Sequence, residues 1–443
     1  MKISRVFKNI ILKEVGMKKI VLVLLALFIA VPMVSDAGSV TSRWDMNIGG
    51  YIKFDVGYMS QGTGVDYRLA GRESQSGTGQ NLMDEYPATN WFGGESRLNF
   101  AIKGPDAWGG AKTSAFLEGD FRGISGHGGS GYFTLRHAFM DFKWANTTLL
   151  LGHTWQPWGL IPSFNILAFS ENHFMKGATR VPQIRITQNF TKEFSAQFAV
   201  AAPNQTLGGR DFGGSGNVYT DDRNRALLPD TSLDLKYTTD KCGKIGPWKL
   251  TFGLGGMFGK EKVVYDIYGA PTVAPNDFED DDVDRWGASF YGYIPIIPEK
   301  KGNKANALGL TWNVFTGQGL DIMLPASPSS PYDQDTSPTG YSFAYPSLSG
   351  GWAQLTYYWT NSVWSNALWG YQTNNLSSQY RTAQVNAVKN LQNFIVNIMY
   401  DVNPAVRFGL EYTRITTAYG RAVPTGKTSG SLDAVRFGAY YFF

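Results

Sequence analysis

Residues 431–443 read SLDAVRFGAYYFF, and this terminal stretch alternates strictly between two faces. A two-residue period indicates a β-strand. An apolar face that ends in aromatic residues suits a strand that faces lipid and ends at a membrane interface. The edge strand of a soluble protein, packed on a core, would give the same pattern. The apolar face consists of Val435, Phe437, Ala439, Tyr441 and Phe443.

The same alternation recurs along the chain, with one face apolar and the other repeatedly charged. Helical periodicity is weak, and its one candidate is SSQYRTAQVNAVKNLQ at 377–392. A β-sandwich would pack such apolar faces against each other, whereas a transmembrane barrel turns them to lipid and the charges to a water-filled lumen. The clearest alternating segments are 51–58, 97–103, 112–122, 233–237, 248–254, 308–314 and 406–413.

The connections between these segments favour the barrel. Short turns such as GPDAWGG (104–110) and WTNSV (359–363) alternate with long polar stretches, for example near 60–90 and 319–350. Short turns on one side and long loops on the other are typical of outer-membrane barrels. We therefore predict an all-β chain: a transmembrane, antiparallel, up-and-down β-barrel. Sixteen strands are expected to start near residues 46, 96, 111, 132, 148, 183, 194, 231, 248, 285, 307, 351, 363, 390, 405 and 432.

The first residues have the pattern of an export signal. A basic segment precedes the apolar run IVLVLLALFIAVPMV (20–34), and the small-residue site Ser35-Asp36-Ala37 follows it. This order predicts a signal peptide over 1–37, cleavage after Ala37, and a barrel domain over 38–443 in the outer membrane of a Gram-negative bacterium. Met17 is an alternative start, and an uncleaved membrane anchor is an alternative function for the segment.

Composition excludes several classes of protein. The whole chain carries 40 basic and 36 acidic residues, but residues 38–443 carry 34 of each. A nucleic-acid binder would show a clustered basic excess, so no nucleic-acid partner is expected. One cysteine, Cys242, cannot form an internal disulfide. No run of eighteen apolar residues follows residue 37, so no transmembrane helix is predicted.

One long connection is unusually aromatic. HTWQPWGLIPSFNILAFSENHFMKGATRVPQ (153–183) mixes tryptophan and phenylalanine with charged residues. In a loop that is surrounded by water, so many aromatic side chains would stay exposed instead of being buried. We predict that it folds into the barrel as a constriction loop. Packing over the barrel mouth, or against a neighbouring subunit, is the alternative.

The predicted inner faces carry more basic than acidic side chains, and such an excess in a narrow channel favours anions. Arginine also offers a fixed fork of donors for carboxylates. Alternatively, the arginines pair with Glu118 and Asp120 and brace the wall. The candidate pore-lining and solute-binding residues are Arg97, Arg136, Glu171, His173, Lys176, Arg180 and Arg185.

No motif predicts a cofactor, a metal site or an enzyme. The four histidines lack metal-ligand spacing, GLGGMFG (253–259) is not a phosphate loop, and no Ser-His-Asp set stands out. The acidic run at 277–284 is interpreted as a solvated loop, with Ca²⁺ or Mg²⁺ bridging to lipopolysaccharide as an alternative. The function predicted is passive diffusion of small hydrophilic, anionic solutes. A plugged structural or adhesive barrel, or a lipase or protease barrel, is the alternative.

Three blocks resemble a known family, the DcaP-like, dicarboxylate-type trimeric porins. The blocks cover 96–123, 133–158 and 179–204 and include LEGDF, LRHAF, GHTWQPW and PQIRIT in that order. The resemblance implies a sixteen-stranded homotrimer in the outer membrane that passes small anionic solutes. Two features depart from the family: the first strand begins about ten residues after the cleavage site, without a coiled-coil segment, and the loop at 159–177 differs.

The homotrimer rests on this resemblance around LRHAFMDFKW (135–144), where the two faces of the strand do not separate cleanly. Simple alternation places Phe133, Leu135 and Phe139 on one face with His137 and Asp141. A face that mixes large apolar and charged side chains suits a strand that packs against protein better than one that faces lipid. We therefore expect a subunit contact here, beside contacts of the barrel with membrane lipid and lipopolysaccharide.

Overall fold

A computed structural model describes residues 43–62, 69–72, 86–122, 131–158, 166–167, 180–203, 218–220, 228–266, 278–321, 323–324, 326–328, 331–334, 342–422 and 426–443. Met1–Arg43 separates from the rest as its own unit, of which only Arg43 is described, and Trp44–Phe443 forms the other. The predicted signal peptide and its cleavage site lie outside the described residues.

Sixteen long strands form the described body of the protein. In chain order they are β1 Asp45–Met59, β2 Arg97–Lys103, β3 Lys112–Asp120, β4 Thr134–Lys143, β5 Thr147–Trp155, β6 Arg180–Asn189, β7 Phe194–Ala201, β8 Asp230–Ile245, β9 Trp248–Asp266, β10 Phe278–Ile297, β11 Leu308–Gln318, β12 Leu348–Tyr358, β13 Val363–Asn374, β14 Val388–Asp401, β15 Val406–Tyr419 and β16 Ser429–Phe442.

Each strand pairs antiparallel with the next, and the sheet closes on itself. The first half of β1 pairs with β2 from Asp45↔Lys103 to Tyr51↔Arg97. Its second half pairs with β16, ending at Met59↔Ala434. The predicted barrel of sixteen antiparallel strands is therefore confirmed. Fifteen predicted starts lie within three residues of the observed ones, and only β10 differs by more, because it begins at 278 instead of 285.

Short turns and long loops alternate around the barrel, as predicted. The short ones lie at 104–111, 144–146, 190–193, 246–247, 298–307, 359–362 and 402–405, at what we call the short-turn end. The long ones leave from the opposite, long-loop end. Short strands Ala88–Phe92 and Val218–Thr220 extend the barrel sheet, and Tyr332–Asp333 pairs with Phe343–Ala344.

Helical structure is minor in the described residues. The predicted helical candidate at 377–392 forms only the six-residue helix α1, Ser378–Ala383, before β14 begins. Ser377 caps α1 by accepting the N–H of Tyr380 on its side chain. A 3₁₀ turn occupies Trp108–Gly110. No helix in this part of the chain is long and apolar enough to cross a membrane.

The two faces of the wall differ as the sequence predicts. Leu355, Trp369 and Leu410 point outward and are exposed, whereas Gln354 and Asn366 on the same strands point inward and are buried. Aromatic pairs lie near the barrel ends, which is the usual position of interfacial girdles. They include Tyr357–Trp359 and Trp108–Phe142 at the short-turn end.

A β-bulge changes the faces predicted for β4. Glu118 pairs with His137 but Gly119 pairs with Leu135, so Arg136 is the extra residue. A bulge of this kind re-aims side chains. Leu135 therefore points outward, while both Arg136 and His137 point inward. The mixed face from which a subunit contact was expected is therefore divided: Phe133 and Leu135 point outward, while Phe139 stays on the inner face with His137 and Asp141.

The acidic run was interpreted as a loop, but its described part lies on a strand. From residue 278 it belongs to β10, beside β9. Asp282 lies 3.6 Å from Lys262 Nζ, and Asp284 lies 3.6 Å from Lys260 Nζ. Cross-strand pairs of opposite charge stabilise a sheet, which explains why this polar sequence continues the barrel instead of leaving it.

Candidate functional site in the barrel interior

The wall formed by β2–β4 carries a compact charged cluster on its inner face. Arg136 Nε donates to Glu118 Oε1 at 2.8 Å, and its Nη1 donates to Asp120 Oδ2 at 2.6 Å. Arg97 Nη1 lies 3.9 Å from the same Glu118 oxygen. Arg136 is only 7% exposed. This arginine therefore braces the wall, the alternative noted for the sequence, and has little surface left for a solute.

His137 completes this cluster without forming a catalytic set. Its Nδ1 is 2.9 Å from Thr154 Oγ1, but its Nε2 is 3.9 Å from Glu118 Oε1, too far for a hydrogen bond. Arg136 already donates to that oxygen. Thr154 therefore lacks the base–acid relay that nucleophilic catalysis needs. Among the described residues, no group of histidine, cysteine and carboxylate side chains could hold a metal ion.

Arg180 and Arg185 are placed differently from Arg136. Arg180 lies over the ring of Trp155, 4.7 Å from its centroid, and is close enough to Arg97 and Arg136 to interact with them electrostatically. Arg185 Nη1 donates weakly to the carbonyl oxygen of Trp155 at 3.4 Å. Arg180 Nη1 and Arg185 Nε are buried donors with no hydrogen-bond acceptor among the described residues. Both arginines thus retain capacity to bind an anion.

The described parts of the connection between β5 and β6 cross the interior. Trp158 is fully buried, and a methyl group added at Gly287 of β10 would meet its ring at 2.5 Å. Leu167, also fully buried, packs on Gly409 of β15 and Gly438 of β16. A segment that starts at β5 and reaches β10 and then β16 has entered the barrel. The predicted inward fold of this loop is confirmed for these residues.

Charged side chains hold the backbone of Leu167. Its N–H donates to Glu411 Oε2 at 2.6 Å, and its carbonyl oxygen accepts from Lys53 Nζ at 2.7 Å. Lys53 also contacts Glu95 and lies 2.9 Å from Asp55 Oδ2. Because the N–H and the carbonyl oxygen of Leu167 both bond to charged side chains, these are charge-assisted hydrogen bonds, which are stronger than those between neutral groups.

A ladder of amide side chains continues from Glu411 along the inner wall. Asn397 donates to Glu411 at 3.0 Å, and Asn366 donates to Asn397 at 2.8 Å. Asn366 in turn accepts from Gln354 at 2.9 Å and from Thr356 at 2.7 Å. All of these side chains are buried. The ladder connects β12, β13, β14 and β15 with the inward loop.

A second segment enters the interior between β11 and β12. Leu320 and Leu324 are almost fully buried. Arg285 of β10 donates from Nε to the carbonyl oxygen of Gly319 at 3.2 Å and forms a two-bond pair with Asp230 at 3.2 and 3.1 Å. The pair Arg285–Asp230 is buried, so it positions this segment in the same way that Lys53 positions Leu167. The sequence carried no motif for this anchor, because its partners lie 55 residues apart.

A cluster of buried apolar side chains lies in the interior on the β9–β16 side. They include inward residues of the wall and both inward segments, packed in one continuous cluster. The charged cluster of Arg97, Arg136 and Arg180 lies on the opposite wall, along β2–β6. Representative members of the apolar cluster are Trp158, Ile166, Phe315, Leu320, Trp352, Leu368, Ile395 and Ile415.

The sequence-predicted site residues are brought together only in part. Arg97, Arg136 and Arg180 share one cluster, and Arg185 lies beside it at Trp155. Glu171, His173 and Lys176 lie outside the described residues. Lys53, Glu95, Asp230, Arg285 and Glu411 position the inward segments, but the sequence did not single them out for that role, because contacts across a barrel leave no local pattern.

Comparison with known proteins supports the architecture. No family model matches this chain, and no curated protein does. Among solved structures, the outer membrane channel DcaP of Acinetobacter baumannii matches with a TM-score of 0.65 and 16% identity, covering 90% of this chain and 97% of that one. The anion-selective porin from Comamonas acidovorans matches at 0.54 and 11%, covering 90% and 99%. Pseudomonas putida OprB matches at 0.52 and 11%, covering 90% and 94%.

Proposed function

We propose that this chain is an outer-membrane porin that forms a water-filled channel for passive diffusion of small hydrophilic, anionic solutes, carboxylates among them. The closed sixteen-stranded barrel supports a channel, and so does its similarity to the fold of outer-membrane channels. The proposal includes assembly as a homotrimer. Passive diffusion requires no catalysed reaction. The structural neighbours are channel proteins, which is consistent with this function.

The observation that carries the anion preference is the state of the interior arginines. Most interior bases are neutralised, since Lys53, Arg136 and Arg285 each contact buried carboxylates. Arg180 and Arg185 keep buried donors without an acceptor in the described residues. A passing carboxylate can exchange part of its hydration for charge-assisted hydrogen bonds to these donors. Asp120 and Glu118 lie close enough to Arg180, and Asp141 to Arg185, to offset part of this positive charge, and the channel walls focus what remains.

The test is the reversal potential of purified channels in asymmetric KCl. The wild-type channel should prefer chloride, and Arg180→Ser with Arg185→Ser should reduce that preference. A control with Lys103→Ser and Lys112→Ser removes the same charge at exposed positions of the short-turn end and should leave the potential unchanged. The preference should weaken with salt, because the Debye length falls from about 8 Å at 0.15 M to about 3 Å at 1 M. Cation selectivity of the wild type would overturn the anion assignment.

A carboxylate probe separates general anion preference from binding. Succinate added on one side should reduce the KCl current of the wild type. The variant that lacks Arg180 and Arg185 should be less sensitive to it, since the fork of donors that fits a carboxylate is gone. Equal block in both proteins would place the carboxylate contacts elsewhere in the interior.

A second candidate function is a plugged structural barrel. The apolar cluster and the two inward segments favour it, because they place buried apolar side chains inside the barrel. Single-channel recording distinguishes the two, since a plugged barrel inserts into a bilayer but gives no conductance steps. The homotrimer is tested separately, by the mass of the protein extracted natively in mild detergent. A monodisperse monomer would exclude it.

A further inference from the structure

A cavity lies at the long-loop end of the wall, where β12, β13 and β14 meet. Its volume is about 340 Å³. It is distinct from the interior cluster of arginines, which lies on β2–β6. The lining residues are Ser347, Leu348, Ser349, Thr373, Asn374, Asn375, Leu376, Arg381 and Lys389.

The lining has the chemistry of an anion site. Arg381 and Lys389 supply two positive charges, and none of the described residues that line the cavity is a carboxylate. The side chain of Lys389 has no hydrogen bond or ion pair in the part of the chain that the structure describes. Arg381 uses one donor, Nε, on the carbonyl oxygen of Ser377 at 3.3 Å. The hydroxyl oxygens of Ser349 and Thr373 already bond to Thr316 and Asn390, and each still has a lone pair that can accept a hydrogen bond from a phosphorylated sugar.

Backbone geometry directs Lys389 to this position. Val388 pairs with Tyr419 and Asn390 pairs with Ala418, so Lys389 is the extra residue of a β-bulge. Val388 is buried on the inner face, whereas Lys389 is exposed. An unpaired bulge residue is free to aim its side chain away from the ladder. The bulge therefore adds a cation to a surface that strict alternation would have left neutral.

The position of the cavity along the barrel wall corresponds to the level of the lipid head groups. On the outer face of β13, Trp369 and Tyr371 stack with ring centroids 6.5 Å apart, and Thr373 follows on the same face. Stacked tryptophan and tyrosine residues of this kind mark the membrane–water interface. At about 3.3 Å per residue, Thr373 lies roughly 7 Å beyond Tyr371. The two cations thus stand just outside the apolar layer, on the side of the long loops.

We propose that this cavity binds a phosphate of a lipopolysaccharide head group in the outer leaflet. The inference rests on the proposed function only in taking the long-loop end to face the outer leaflet. Ser349, Thr373 and Lys389 are exposed and face outward, so these lining residues are reached from the lipid side, whereas Leu348 and Asn374 are buried and face inward. A phosphate there accepts charge-assisted hydrogen bonds from Arg381 and Lys389, and its sugar meets the hydroxyl groups.

The experiment measures binding of bisphosphorylated lipid A to the purified protein in detergent, by native mass spectrometry. Arg381→Gln with Lys389→Gln should weaken binding at least about tenfold, which corresponds to the loss of roughly 1.4 kcal/mol of charged hydrogen bonding. The control is Lys300→Gln with Lys301→Gln, which removes the same charge from an exposed turn at the short-turn end. The control protein should bind as the wild type does.

Each other outcome contradicts the proposal in a defined way. Equal binding of dephosphorylated lipid A would show that no phosphate is recognised. Displacement of lipid A by millimolar inorganic phosphate would identify a free-phosphate site instead of a lipid site. Unchanged binding in the Arg381 and Lys389 variant would place the contact elsewhere. Lipid binding is measured without any conductance. Failure of the channel proposal would therefore leave the lipid-binding result standing, and failure of lipid binding would leave the channel proposal standing.

Discussion

Lys53 and Glu411 hold opposite ends of one residue: Lys53 Nζ donates to the carbonyl oxygen of Leu167 at 2.7 Å, and Glu411 Oε2 accepts its N–H at 2.6 Å. The two side chains come from strands at the closing seam of the barrel, on either side of β16. A loop that starts at β5 is thereby attached to the far wall. Its path is set by two charges and not by apolar packing alone.

Lys53→Met should destabilise the barrel strongly. The substitution removes the cation that Glu95 and Asp55 share and leaves them only the more distant Arg122 and Arg436, and breaking a buried pair in this way costs about 3–5 kcal/mol. The measurement is the temperature at which the folded, heat-modifiable band disappears on a gel. Lys103→Met, which breaks an exposed pair with Asp45, should cost about 0–1 kcal/mol. Equal effects of the two substitutions would contradict the anchoring role of Lys53.

Arg136→Gln and Arg180→Gln should have opposite profiles, although each removes one interior charge. Arg136→Gln removes the brace between Glu118 and Asp120, so folding should suffer while selectivity changes little. Arg180→Gln removes no ion-pair partner from a buried carboxylate, so the barrel should keep its normal stability. Its anion preference should be reduced. Reversal potential and thermal unfolding, measured on both variants, provide the comparison. A stable Arg136 variant with reduced anion selectivity would show that solutes reach Arg136.

Gly287→Ala should displace Trp158. The added methyl group would lie 2.5 Å from the indole ring, which real contacts do not tolerate. Because the ring is fully buried, we expect the loop to shift, with a red shift of tryptophan fluorescence and a changed conductance. Gly256→Ala on the neighbouring strand is the control, since its nearest neighbour is 3.9 Å away. If both variants match the wild type, Trp158 does not dock on Gly287.

Deletion of Phe443 should impair assembly. Its N–H donates to the carbonyl oxygen of Gly50, and its own carbonyl oxygen accepts the N–H of Gly50, both at 3.2 Å. These bonds belong to the seam between β16 and β1, where the barrel closes. The fraction of heat-modifiable protein in isolated membranes is the measurement. Phe443→Tyr keeps the bonds and an aromatic ring, and it should assemble normally; normal insertion of the truncated chain would refute the role of the terminal residue.

Much of the fold follows from the alternation in the sequence, because a closed sheet between lipid and a polar interior constrains every strand in the same way. Outward Leu355, Leu410 and Phe437 are examples in which period two alone gives the correct face. The bulge at Arg136 could not be anticipated, since one extra residue reverses the faces without altering composition. The start of β10 was missed because Asp282 and Asp284 suggest a loop until the lysines on β9 are placed beside them.

The interior was harder to predict than the wall. A basic excess can be counted from a sequence, but which bases are neutralised depends on partners far apart in the chain. Arg285 and Asp230 are 55 residues apart, and Lys53 and Leu167 are 114 apart. The apolar filling on the β9–β16 side was also unexpected, because inward leucine and isoleucine residues become favourable only once loops cover them.

The two hydrogen bonds that Lys53 and Glu411 make to the backbone of Leu167 limit how far the inward loop can move, and therefore how the pore can gate. Swinging the loop aside would break the hydrogen bonds of Lys53 and Glu411 to the backbone of Leu167, although Lys53 would keep Glu95 and Asp55 and Glu411 would keep Asn397. Two hydrogen bonds to charged groups, at about 1.5–3 kcal/mol each, would make the displaced position roughly 10²- to 10⁴-fold less populated than the docked one. Spontaneous closures driven by this loop should therefore be rare, and the current through an open channel should be quiet at low voltage.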